Sequence, residues 1–247
     1  MPSRPPDGHT RCPGSGVLRS PAGAATGGSH RWDPAGPVRD HQGDRPVLRP
    51  PVRPHLFVIT GIVLAAGTSS RFGRTKQVLE FEGKPLAQHA IDAAAAAGLN
   101  EVVVVLGHDA ERVGASLLLP ASGRTVLNPR YEAGQSTSLV AGLAAASPQS
   151  EAAVVLLADQ PGITAEHIRA LVDAFEVRHP AIVRLRFRDG PGPALLSREV
   201  WDEARNLAGD TGAREIIVAH PEWVEEIPVD SDAPADVDRP SDLERLR

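Results

Sequence analysis

The sequence predicts an α/β protein built on a mostly parallel sheet with helices on both faces. Two observations carry this. From residue 56 onward, short apolar runs rich in Val, Ile and Leu alternate with longer segments of helical period. Several of these runs are apolar throughout, as expected of strands covered on both faces, and the alternation is that of strand–helix–strand crossovers.

The elements follow in order. Residues 56–66 form a mostly apolar strand closed by Gly67. An Ala-rich helix over 85–97 is stopped by Gly98. The β-branched run 101–106 is a second strand, and 109–118 a helix with Asp109 at its N-cap. Residues 124–127 form a short third strand, 135–146 a helix, and 152–157 a fourth strand. An amphipathic helix over 164–177 is capped by Thr164. Strands are expected at 181–187 and 193–196, and a helix capped by Ser197 at 197–208. A strand at 224–229 and a short helix at 240–246 complete the chain. Residues 56–247, roughly 190 in all, fit a single domain without an internal repeat.

Composition narrows the function classes. Apolar residues make up 41% and aromatics 4%, so the core is mostly Ala, Val, Leu and Ile. The longest apolar runs, such as 102–106, fall far short of the ~20 residues a membrane-spanning helix needs. Cys12 is the single cysteine, which excludes an intrachain disulfide and a zinc site built on several cysteines. Nothing points to an oxidising compartment, and a cytoplasmic protein is expected. The net charge is −5, but residues 1–55 hold eight Arg and four Asp with no Lys or Glu. That segment is therefore +4 and the remainder −9. An acidic body argues against nucleic acid as the main partner, since duplex binding rests on neutralising phosphates. A small anionic substrate stays open where positive charge is concentrated.

Residues 1–55 also carry 11 of the 23 prolines and 8 of the 23 glycines, with no strand or helix period. They are expected to be a disordered extension or an early start. Met1 is the only methionine, so a later start would need an alternative codon, for example at Val58. A basic arm or transit segment is the other reading, although four Asp and many Pro spoil an amphipathic helix.

Ligands of such sheets lie beyond the carboxyl ends of the strands. The loops 66–76, 128–138 and 159–161 are thus expected to meet at one cleft. The first reads L-A-A-G-T-S-S-R-F-G-R-T-K from Leu64 to Lys76. Gly67 allows a sharp turn whose N–H groups approach an anion, and Arg71, Arg74 and Lys76 add three cations. Such a loop suits a polyphosphate; a solvated turn is the other reading. Its spacing matches neither G-x-x-x-x-G-K-[ST] nor G-x-G-x-x-G. In the second loop, residues 134–139 put Ser and Thr hydroxyls and free N–H groups at a helix start, either a nucleotide site or an ordinary N-cap. In the third, Asp159 ends an apolar strand, where a carboxylate is costly without a partner. A divalent metal bridging phosphates would serve, as would capping of the helix after Pro161. His89, His167 and His179 lack ligand spacing and read as helix-surface residues.

The pattern L-A-A-G-x-S-x-R-F-G-x-x-K-Q resembles the signature of the nucleotidyltransferases that act on molybdopterin, relatives of the sugar-phosphate nucleotidyltransferases. L-A-A-G, rather than L-A-G-G, is more similar to their cytidylyltransferase branch. Asn128-Pro129 followed by 134–139 resembles the family's N-P-x-x-x-x-G-x-x-x-S-L, and 236–243 is similar to its D-x-D-T-P-x-D-L. Residues 209–214 resemble its G-D-x-G-A-R in the acceptor region, where Arg214 would meet a pterin phosphate; a helix-capping Asp with a surface Arg is the other reading. Pro191-Gly192-Pro193 departs from its G-H-P.

The resemblance implies a Rossmann-like three-layer nucleotidyltransferase fold over 56–247. It implies transfer of a cytidylyl group from CTP to molybdopterin, with release of pyrophosphate and with Mg²⁺ as cofactor. Leu64, Ala65, Ala66 and Gly67 are assigned to the nucleotide, as are Arg71, Lys76, Asn128, Gln135 and Ser136. Arg71, Lys76 and Asp159 are the catalytic residues. Asp159 and Asp238 are the metal ligands, with Asp236 behind Asp238 and Asp242 as a helix cap. A molybdenum hydroxylase is the implied receiver of the product. Two rivals are NAD(P)H-dependent oxidoreductases of the same sequence family, acting on nicotine-derived pigments, and a non-catalytic chaperone that holds the cofactor.

Overall fold

The computed structural model describes residues 55–69, 72–207, 209 and 212–245. The expected N-terminal extension lies outside the described residues apart from His55, and so do Arg71, Asp210 and Thr211. In chain order the elements are β1 (Ile59–Ala65), β2 (Glu80–Phe81), β3 (Lys84–Pro85), α1 (Leu86–Ala97), β4 (Glu101–Leu106) and α2 (Ala110–Ser116). There follow β5 (Gly123–Leu127), α3 (Gln135–Ala145), β6 (Ala152–Leu157), α4 (Ala165–Arg178), β7 (Ile182–Arg186) and β8 (Pro191–Ser197). The last are α5 (Trp201–Ala204), α6 (Ala213–Ala219), β9 (Val224–Pro228) and α7 (Pro240–Arg245).

Seven strands form one sheet in the order β5-β4-β1-β6-β8-β7-β9. Only β8 runs antiparallel to its neighbours; the other pairings are parallel. The chain moves from β1 outward to β4 and β5, then returns across β1 to β6. That reversal leaves a crevice at the carboxyl ends of the central strands. Alternation along β1 divides the core. Ile59, Val63 and Ala65 pack with α1, α2 and α4, while Ile62 and Leu64 pack with α3, α5 and α6. The result is the expected three-layer, Rossmann-like arrangement. No helix among the described residues is long and apolar enough to cross a membrane.

Local chemistry explains several boundaries. Gly98 ends α1 in the left-handed region at φ 85°, its N–H bonded to the carbonyls of Ala94 and Ala95. Thr164 caps α4 with a reciprocal bond from His167. Asp109 stands at the N-cap of α2, as expected, but its side chain makes no cap bond. It sits at φ 54° and its carboxylate instead accepts from Thr75 Oγ1 at 2.7 Å. Ser197 likewise makes no cap bond. The helix expected over 197–208 is a 3₁₀ turn (Arg198–Val200) followed by the four-residue α5. Trp201 turns back so that its indole Nε1 donates to Leu196 O at 3.2 Å, and the N–H groups of residues 205–207 bond three residues back rather than four. His179 lies in the left-handed C-cap after α4, edge-on to Phe57 and Phe175, rather than on a helix surface.

Gly142 marks where α3 presses on β1. A methyl there would stand 2.4 Å from Ile62 Cγ2 and 3.1 Å from Val105 Cγ2, and Ile62 is fully buried. Alanine gains up to about 1 kcal/mol in helix propensity, but overpacking a dense core typically costs about 1–3 kcal/mol. Gly142→Ala is therefore expected to lower the unfolding free energy by about 1–2 kcal/mol, read in calorimetry as a Tm several degrees lower. An unchanged or higher Tm would show that α3 sits more loosely on the sheet.

Candidate active site

The loop after β1 is built around Ser69, a non-glycine residue at φ 55°. Its carbonyl accepts from Phe72 N at 2.8 Å, and its Oγ accepts from Lys76 N at 3.1 Å and donates to Gln77 Oε1 at 3.2 Å. Gln77, buried under the loop, also donates its Nε2 to Gly67 O at 2.9 Å. One amide thus ties the start of the loop to its end.

Phe72 carries the loop into a small apolar cluster with Leu79, Phe81, Leu86 and Val237. Val237 is fully buried, and its N–H bonds to Asp159 O at 3.0 Å. Asp242 accepts from the N–H groups of Asp238 (3.1 Å) and Arg239 (2.7 Å), so it caps α7 from within its first turn. These contacts set Asp238 beside Asp159.

Between the two carboxylates lies Lys76. Its Nζ donates to Asp159 Oδ2 at 2.7 Å and to Asp238 Oδ1 at 2.9 Å. Burial disfavours the ammonium, but the charges and hydrogen bonds of Asp159 and Asp238 outweigh it and hold the Lys76 pKa above its ordinary value. Asp236 stands behind the pair and accepts from Gln160 Nε2 at 2.7 Å. It lies at the surface, yet the protein on one side removes enough water to raise its carboxyl. The Gln160 bond works against the rise, and Asp159 and Asp238 add to it.

The third wall comes from 128–138. Asn128 is buried, and its Nδ2 donates to Thr137 Oγ1 (2.9 Å) and Ser138 Oγ (3.0 Å) while its Oδ1 accepts from Arg130 N (3.0 Å). Gly134, at φ 111°, begins α3 in close backbone contact with Gly209; a Cβ there would lie 2.3 Å from the Gly209 carbonyl. This brings Gly209 against the helix start, and Arg214 is exposed on α6.

The walls enclose a cavity of about 400 Å³, within the range of small-molecule sites. Of the residues assigned to the site from the sequence, Leu64, Ala66, Gly67, Lys76, Gln135, Asp159 and Asp238 line it. Ala65, Asn128 and Ser136 do not. Ala65 packs on the opposite sheet face, Asn128 braces the loop, and Ser136 Oγ is buried with no partner among the described residues. Thr68, Ser69, Gln77, Tyr131 and Glu132 also line the cavity, and sequence reasoning gave them no individual role; Ser138 lines it from the 134–139 stretch whose hydroxyls were read as a nucleotide site or an N-cap. Gln77 had a signal, its place directly after Lys76 in the K-Q pair.

The residues fit a hard divalent cation. Asp159 Oδ1 is buried and has no hydrogen-bond partner among the described residues, which is costly for a carboxylate. Two carboxylates are a donor set that Mg²⁺ accepts while keeping several waters. Among the described residues there is no group of three or more His, Cys, Asp or Glu placed to hold a metal.

Residues 61–224 match the MobA-like NTP transferase domain family. Nicotine blue oxidoreductase of Paenarthrobacter nicotinovorans is 32% identical over 184 residues, 70% of this chain and 88% of that protein. A homologue of Rv0371c from Mycobacterium sp. strain JC1 superposes with a TM-score of 0.69 at 34% identity, covering 76% of this chain and 94% of that one. Rv0371c of Mycobacterium tuberculosis, solved in complex with manganese, gives 0.66 at 32% identity, with 77% and 97% covered.

Gln77→Met keeps the side-chain volume and removes both bonds that brace the loop. It is expected to cost about 1–3 kcal/mol, because Gly67 O loses its partner. Denaturant unfolding measures this; a loss below about 0.5 kcal/mol, the scale of a neutral surface change, would show that the loop holds itself.

Proposed function

The chain belongs to the MobA-like NTP transferase domain family, and from that premise we propose that it moves a cytidylyl group from CTP to a molybdopterin-type acceptor, releasing pyrophosphate. The observation that carries this reading is the Lys76 ammonium held between Asp159 and Asp238 at the carboxyl edge of the sheet, with Asp159 Oδ1 without a partner among the described residues. Asp159 and Asp238 would hold Mg²⁺, which when bound supplies positive charge to the phosphates. Lys76, joined by Arg71, neutralises the triphosphate and the leaving pyrophosphate. The Ala66–Gly67 backbone faces the anion from the end of β1. Gln135 faces the nucleotide from α3, with Asn128 and Ser136 as supports behind it. The acceptor's phosphate is already anionic and attacks in line, so the site needs no strong base. The same reading makes a molybdenum hydroxylase the receiver of the product.

A second reading, hydride transfer from a nicotinamide cofactor, is favoured by the name of the relative from Paenarthrobacter nicotinovorans. A reductase has no evident use for two carboxylates clamped on a lysine. The deciding experiment is mass spectrometry of the product formed from CTP, Mg²⁺ and purified molybdopterin, run beside an assay of NAD(P)H oxidation. The expected result is a cytosine dinucleotide and equimolar pyrophosphate. Oxidation of NAD(P)H without pyrophosphate would overturn the transferase reading, and binding without either reaction would leave a carrier.

Lys76→Ala is expected to lower the rate of pyrophosphate release by roughly 10²–10³-fold, the size of effect seen when one preorganised charge stabiliser is lost. A rate within about twofold of wild type would remove Lys76 from the chemistry.

Base preference follows from Ala66, which lines the cavity. Its methyl, compared with glycine, keeps base and backbone apart and crowds a purine more than a pyrimidine. Steric exclusion of this kind is worth ~10–200-fold. CTP is expected to exceed GTP in kcat/KM, and Ala66→Gly to narrow the gap without reversing it. Competition between equal CTP and GTP measures this; equal use, or preference for GTP, would show that the cytidylyl assignment is wrong.

A further inference from the structure

We propose that Lys76 is the resident counterion of the Asp159–Asp238 pair, so that a divalent cation enters only by displacing its ammonium. Cation and nucleotide then bind as a coupled pair rather than independently. This rests on the metal-dependent reading above and adds an order to it.

The geometry carries the inference. Two carboxylate oxygens from segments 79 residues apart both accept from one nitrogen, at 2.7 and 2.9 Å. Those oxygens therefore face a single point, and an ammonium occupies it. The lysine side chain is 13% exposed and that of Asp159 22%, so water screens that pair weakly; Asp238, at 46%, closes the cluster on its solvent side. Asp159 keeps a second, buried oxygen without a partner among the described residues. The pair thus has acceptor capacity that the ammonium does not use.

A divalent ion at the same point would meet the lysine's charge at contact distance, which neither cation tolerates in a weakly screened site. The lysine must leave, and leaving alone exposes it to the desolvation cost of an unpaired buried charge. A triphosphate beside it removes that cost by accepting the released N–H groups. Free metal is therefore excluded from the empty site by the protein's own side chain. The nucleotide opens the site to metal by giving the lysine somewhere to go.

The test measures metal binding, not turnover. The probe is Mn²⁺ alone, added to the full chain without nucleotide and followed by loss of the free-ion electron paramagnetic resonance signal. Lys76→Met and Lys76→Gln are expected to bind Mn²⁺ at least about tenfold more tightly than wild type, the scale of a close buried charge pair. Two variants guard against one failing to fold, and circular dichroism checks both. Arg74→Met removes an exposed cation of the same loop, one that lies over the Phe72 ring. It is expected to change Mn²⁺ affinity by less than about threefold, as exposed, screened charges do. Adding Asp159→Asn to Lys76→Met should abolish the gain.

Lysine variants that bind Mn²⁺ no more tightly than wild type would overturn the competition, whatever the product assay shows. An equal gain from Arg74→Met, or a gain that survives Asp159→Asn, would overturn it as well. The first would reduce it to bulk charge and the second would put the ion elsewhere. Absence of Mn²⁺ binding by every protein even with CTP present would remove both this proposal and the metal-dependent transferase reading.

Discussion

One ammonium joins three segments that are far apart in the chain. Lys76 follows β1, Asp159 follows β6, and Asp238 precedes α7, and the nitrogen of the first lies within 3 Å of an oxygen from each of the others. Charges this sheltered are tolerated only in company, since an isolated one would have to shift its pKa or draw in water. The requirement runs in both directions. The sheet must set β1 beside β6 in parallel, so that both carboxyl ends open on the same edge. The C-terminal segment must return to that edge, which the buried Val237 and its bond to Asp159 O accomplish.

The loops meet a related demand by lending side-chain amides to the main chain. Gln77 closes the loop after β1, and Asn128 gathers Arg130, Thr137 and Ser138 under the start of α3. Irregular backbone cannot satisfy its own polar groups as a ladder does, so each stretch has a carboxamide, donor and acceptor in one side chain, folded beneath it. Side chains that never reach the cavity thereby decide what does. This is why residues of the family signature divide into those that line the site and those that stand behind it.

Much of this was legible in the sequence, and the exceptions share a cause. Runs such as 102–106 and 152–157 are apolar on both faces, and no other element fits them. Gly98 and Thr164 act through chemistry that local sequence encodes. Lys76, Asp159 and Asp238 were each recognisable, but their meeting at one nitrogen was not, because spacing carries no information about long-range contact. Asp109 reads as a cap by type, yet Thr75, 34 residues earlier, claims its carboxylate. The 197–208 segment has helical composition, but it folds as a 3₁₀ turn and a four-residue helix, with Trp201 bonded back to Leu196. The hairpin around Glu82 and Gly83, both at positive φ, joins strands of two residues each, too short for any alternation to show.

Val237 leads to a consequence of another kind. It belongs not to either large core but to a separate cluster of five buried residues that also holds Phe72 of the first loop. Small clusters at an edge open more readily than the sheet they rest on. Undocking of that segment would carry Asp238 away and unclamp the lysine while every strand stayed paired. A chain in that condition would look native to any probe of secondary structure and yet be chemically silent. Completeness of the site thus rests on a five-residue cluster that stands apart from the two large cores holding the sheet.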